Sequence, residues 1–69
     1  MTDEELGAAF GARVRQLRQD RGLTRTELAA QVGLHANNIV ALESDGTGAT
    51  LLLIHRLADA LDVPPRDLM

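Results

Sequence analysis

The stretch TRTELAAQVGLHANNIVALE, Thr24–Glu43, sets two short apolar stripes on either side of one glycine. Thr24 and Glu27 form T-x-x-E, the capping box that opens a helix by satisfying two of its free N–H groups. Leu28, Ala29 and Val32 then recur at helical spacing. Gly33 supplies the tight turn that ends this helix, because only glycine enters the left-handed region without steric cost. A further helix follows from about His35 to Ser44, with Ile39 and Leu42 as its apolar positions.

Upstream, Leu6, Phe10, Val14 and Leu17 recur at four, four and three, predicting an amphipathic first helix with these four side chains inward. It should end near Asp20–Arg21, with Gly22 just beyond its end. Downstream, Asp45-Gly46-Thr47-Gly48 reads as a loop. Thr50 is placed to cap a fourth helix, with Leu51, Ile54, Leu57, Ala58 and Leu61 expected inward. Pro64 and Pro65 mark a restart, and Pro65 suits the first turn of a short fifth helix ending at Leu68 and Met69. No segment alternates with period two. The expectation is one all-α, five-helix domain over residues 1–69.

The net charge of −3 argues mildly against a nucleic-acid partner, but its distribution matters more than its sum. Residues 11–25 carry Arg13, Arg15, Arg18, Arg21 and Arg25 against Asp20, whereas the rest of the chain is acidic. Cysteine is absent, which excludes disulfides and thiolate metal sites. No apolar run approaches the ~20 residues that span a bilayer, and Met1–Glu5 is too acidic for a signal peptide. The expected compartment is therefore the cytoplasm, with no membrane partner.

Phe10-Gly11, Val14, Leu17-Arg18, Gly22-Leu23-Thr24, Glu27-Leu28-Ala29, Val32-Gly33-Leu34, Ile39 and Leu42-Glu43 together resemble the lambda-repressor/Cro-like (XRE) helix-turn-helix family. The resemblance continues through Leu57-Ala58, Ala60-Leu61 and Asp67-Leu68, covering roughly residues 8–69. It implies a compact lambda-repressor-like fold and a transcription factor, usually dimeric, that lays its third helix in the major groove.

With Ile39 as the inward reference, Leu42, Glu43 and His35 lie within ~60° of the core direction at 100° per residue. Asn37, Ala41 and Ser44 form the opposite stripe, flanked by Val40 and Asn38, with Ala36 in the first turn and His35 at the cap. The resemblance places Ala36, Asn37 and Ala41 where family members touch base edges. Asn37 is the strongest reader, since its carboxamide matches the donor–acceptor pair of adenine. Arg25 stands where many relatives have glutamine, and is expected to reach a phosphate. The loop after Glu43 lacks the relatives' basic residue, and Asp45 would repel a DNA backbone. The expected DNA-binding set is thus Arg25, His35, Ala36, Asn37, Asn38, Val40, Ala41 and Ser44.

Arg18 matches a structural arginine of the family that pairs with the glutamate at the Glu43 position. Glu43 lies ~40° from the core direction, and a carboxylate turned inward needs a partner. His35 and His55 lack the further ligands of a metal site, so neither metal nor cofactor is expected. No catalytic constellation is visible, and an enzyme is not expected. With Ile54 as reference on the fourth helix, Leu52 lies at ~160°, fully outward, and Leu53 at about −100°, beside Ala60. Together with Leu68 and Met69 they make an expected homodimer patch, buried against its own copy. The leading reading is a sequence-specific regulator binding double-stranded DNA as a homodimer on a two-fold operator. The alternative is a protein-interaction or antitoxin-like adaptor on the same scaffold, with a protein partner and weak or no DNA binding.

Overall fold

The computed structural model describes residues 1–68, so Met69 lies outside the described residues. The chain forms α1 (Asp3–Asp20), α2 (Arg25–Val32), α3 (Ala36–Asp45) and α4 (Leu51–Leu61), then a 3₁₀ turn, Pro65–Leu68. Among the described residues there is no strand.

The expected fifth α-helix is therefore corrected to a single 3₁₀ turn. The turn is four residues long, and its bond runs from Asp67 N–H to the Pro64 carbonyl, three residues back, at 2.9 Å, the 3₁₀ pattern. Leu68 from this turn is fully buried and closes the core.

Local chemistry fixes each helix end. Thr24 and Glu27 cap α2 reciprocally, Glu27 N to Thr24 Oγ1 at 3.1 Å and Thr24 N to Glu27 Oε1 at 2.8 Å. Thr2 and Glu5 form the same box at the start of α1, a T-x-x-E signal that the reading of periodicity passed over. Asp3, Glu4 and Glu5 thus sit in the first turn of α1, where the helix dipole favours acids. α1 ends in a paired-bond cap: Leu23 N–H reaches the Arg18 carbonyl and Gly22 N–H the Gln19 carbonyl.

Val14, Leu28, Val32, Ile39, Leu42, Leu57, Leu61 and Leu68 fill the interior. Each such side chain contributes about 1.5–3 kcal/mol relative to exposure. Leu6, expected inward, is half exposed instead. There the first turns of α1 approach the end of α3 through backbone: a methyl group on Gly7 would lie 2.3 Å from the Asp45 carbonyl oxygen, and one on Gly11 2.4 Å from that of Leu42.

The phase expected for α4 is also corrected. Leu53, expected outward, is buried with Leu57 and Leu61, one turn apart each, whereas Leu51, expected inward, is 69% exposed. Ile54 lies on the flank of the buried stripe, not at its centre. Leu53 and Leu68 are spent inside the monomer, so of the expected dimer patch only Leu52, 62% exposed, remains on the described surface.

Candidate nucleic-acid interface

α2 and α3 are joined through Gly33, which takes φ 75°, ψ 29°. The Leu34 N–H returns to the Ala29 carbonyl at 2.8 Å, locking the turn. His35 precedes α3 in extended conformation. Its ring makes no capping bond; instead its backbone N–H donates to Asn38 Oδ1 at 3.0 Å. Asn38 therefore has one lone pair of its carbonyl oxygen committed to the helix end, with its amide nitrogen turned to no partner among the described residues.

Along α3, Ile39, Leu42 and Glu43 are buried, while Asn37, Asn38, Val40 and Ser44 are exposed and Ala36 and Ala41 half-buried. The outer face is small and neutral. Within Ala36–Ser44 the sole acid is Glu43, and it is turned inward.

Three charges meet there. Arg18 Nε donates to Glu43 Oε2 at 2.6 Å, its Nη2 to Oε1 at 3.2 Å, and its Nη1 to the Leu23 carbonyl at 2.8 Å. Such a fork holds both carboxylate oxygens and the chain entering α2 at once. Arg25 adds a third hold, Nε to Glu43 Oε1 at 3.0 Å. The Glu43 side chain is 3% exposed and that of Arg25 41%. Two guanidinium groups on one carboxylate leave a net positive charge, and Arg25 carries it to the surface. Periodicity along one helix contains no trace of this third member, because it is a contact between helices.

The remaining basic residues scatter. Arg13 Nε donates to the Asp67 carbonyl at 2.7 Å, and Arg21 Nη2 to the Asp62 carbonyl at 3.2 Å. Both tie α1 to the C-terminal part of the fold. Arg15 makes no hydrogen bond or ion pair among the described residues, and it shares a shallow hollow with Gln19, Glu43 and Ser44. Asp45, expected in the loop, instead ends α3, and its carboxylate is held in place: Oδ1 accepts from the Thr47 N–H at 2.9 Å and from the Thr47 hydroxyl. The Thr47 hydroxyl, and then its N–H, hold the Asp45 carboxyl below the usual carboxylate range.

Residues 9–69 match the family described as a helix-turn-helix domain. A protein of Methanothermobacter thermautotrophicus (strain Delta H), named an uncharacterized HTH-type transcriptional regulator, is 44% identical over 48 residues, 70% of each chain. Among solved structures, the restriction-modification controller protein C.AhdI from Aeromonas hydrophila superposes with a TM-score of 0.85 at 37% identity. That match covers 90% of this chain and 94% of the other. A hypothetical transcription factor from Neisseria, NHTF, superposes with a TM-score of 0.86 at 30% identity, over 97% of this chain and 75% of its own.

Proposed function

This chain belongs to the XRE-like helix-turn-helix family and is a DNA-binding transcriptional regulator, and we propose that it reads its operator through the exposed face of α3. The observation that carries this reading is the burial of Glu43. With its carboxylate enclosed by Arg18 and Arg25, the face from Ala36 to Ser44 presents no negative charge to a phosphate backbone. The nearest exposed acid is Asp45, the last residue of α3, just beyond Ser44.

In the proposed complex Asn37 reads an adenine edge, and Ala36, Val40 and Ala41 meet thymine methyl groups. His35, Asn38 and Ser44 line the edges of the same helix. Arg25 at the start of α2 contacts a phosphate, and Arg15, beside Ser44, contacts another. With so few cations, binding per copy is weak. Each copy carries one α3, while successive half-sites on one face of a duplex lie ~34 Å apart. An operator with two half-sites therefore takes two copies.

Footprinting on DNA upstream of its own coding sequence, followed by fluorescence titration at low salt, tests the proposal. Specific binding supports it. Absence of any duplex binding at tens of micromolar, within the non-specific range of ~10⁻⁴–10⁻⁶ M, would instead support the adaptor reading.

A further inference from the structure

A cleft of about 300 Å³ opens between α3, the loop that follows it and the start of α4. Its walls are Leu34, Ala41, Leu52 and Leu53, and its polar lining includes Thr50 and Arg56. The volume lies at the small end of the range in which proteins hold organic ligands, ~300–1,000 Å³. Arg56 makes no hydrogen bond or ion pair among the described residues, unlike Arg13, Arg18, Arg21 and Arg25. Asp59, the nearest acid along α4, lines the hollow on the other side of Arg56 and not this cleft.

We infer that this cleft binds a small amphipathic carboxylic acid, its apolar chain against the leucines and its carboxylate on Arg56. The chemistry of the lining selects that class. An uncharged hydrocarbon would leave Arg56 unused, whereas a polyanion would meet the apolar walls. A guanidinium with free N–H groups holds a carboxylate bidentately. Asn38 and Ala41 belong both to this lining and to the proposed reading face of α3. An anion seated there stands beside the path of a DNA phosphate backbone, so ligand and DNA oppose one another. By linkage each lowers the affinity of the other by the same factor. This coupling rests on the reading of α3 proposed above; the binding of the acid does not.

Amide NMR of the ¹⁵N-labelled full chain without DNA separates the two. Hexanoate is the probe, with 1-hexanol as the uncharged control of the same chain length. The expected result is saturable millimolar shifts at Ala41, Thr50 and Leu52 with hexanoate, and weaker ones with hexanol. Arg56→Gln should weaken hexanoate roughly tenfold and leave hexanol unchanged. Equal binding of acid and alcohol overturns the inference. So do shifts confined to other parts of the chain, and so do shifts at the cleft that follow protein dilution and not ligand, which would mark a second copy as its occupant. In the DNA titration, hexanoate should weaken wild type but not Arg56→Gln. A duplex that binds equally with and without hexanoate overturns the coupling, while a chain that binds hexanoate but no duplex overturns the DNA reading and leaves the acid site standing.

Discussion

Arg25 donates its Nε to the Oε1 of Glu43 at 3.0 Å, on a carboxylate that Arg18 already holds by both oxygens. The two arginines share one acid but differ in burial, and so differ in role. Arg18→Ala strands a buried carboxylate and should cost about 3 kcal/mol, the low end for breaking a buried pair, because Arg25 remains as a partial partner. Arg25→Ala removes a contact screened by water and should cost under about 1 kcal/mol. Thermal melts of the single and double variants check this: the double loss should exceed the sum of the singles, since only then is Glu43 alone. In DNA titrations Arg25→Ala should weaken all duplexes alike and lower the salt slope by roughly 0.9.

Asn37 is exposed at the centre of the outer face of α3, and its side chain has no hydrogen-bond partner among the described residues. Asn37→Ala should leave the melting temperature unchanged and cost ~1–3 kcal/mol at the cognate site, with loss of preference at one base pair. Uniform weakening across all sequences would instead make it a backbone contact.

Two glycines separate two physical causes. A methyl group on Gly11 would lie 2.4 Å from the Leu42 carbonyl and 2.6 Å from that of Glu43. Backbone has to move, so Gly11→Ala should cost ~1–3 kcal/mol and shift α1 from α3. Gly22 has open space around it but holds φ +68°. Its replacement by alanine should cost roughly 1 kcal/mol from strain alone, with no change in the amide spectrum of α3. Equal spectral effects from both variants would contradict the assignment of causes.

Three exposed carboxylates are held below their ordinary range. Glu5 and Glu27 are so chiefly because backbone N–H groups of Thr2 and Thr24 donate to them, and Asp45 because of the Thr47 hydroxyl. A carboxyl whose value falls on folding binds fewer protons folded than unfolded across that window. Its contribution is complete above the unfolded value and is lost as pH falls through the folded one, so stability should decline below about pH 5. Glu27→Gln keeps a capping side chain but removes its titration. Melts from pH 7 to about pH 3 should therefore show a shallower acid slope for this variant than for wild type.

Leu52 and Leu53 are neighbours with opposite fates. Leu53→Ala should cost ~2–5 kcal/mol from the cavity it leaves, while Leu52→Glu should stay within ~0.5 kcal/mol in the folding of one copy. Sedimentation across micromolar concentrations shows whether Leu52→Glu also separates two copies. A wild type that is monomeric throughout leaves pairing to the DNA itself.

Much of this was legible in the sequence where one residue dictates one local conformation. The T-x-x-E box at Thr24, Gly33 in its turn and Gly22 after α1 each act within a few residues, so spacing reveals them. The four apolar residues Leu51–Ile54 do not behave that way. Spread over a full helical turn, they leave every azimuth apolar when taken alone; the phase is carried by Leu57 and Leu61 further on, which step back one turn each to Leu53 and not to the reference Ile54. Arg25 on Glu43 was illegible for a related reason: the residues are 18 apart and meet only once α1, α2 and α3 are assembled. Exposure along α3 follows from its own periodicity, but the capture of Asn38 by the His35 N–H depends on a rotamer that spacing does not encode.

The seal of the interior by Leu68, with Arg13 holding the carbonyl of Asp67, has a consequence for synthesis. Thr2 to Leu61 hold all four α-helices, yet the cavity they enclose lacks its last wall until Leu68 arrives. On a ribosome, where chains emerge at ~5–20 residues per second, the apolar surface that Leu68 covers has no cover until that residue is out. Stable closure waits for Leu68 to clear the exit tunnel, so this domain completes its folding after, and not during, the emergence of its reading helix.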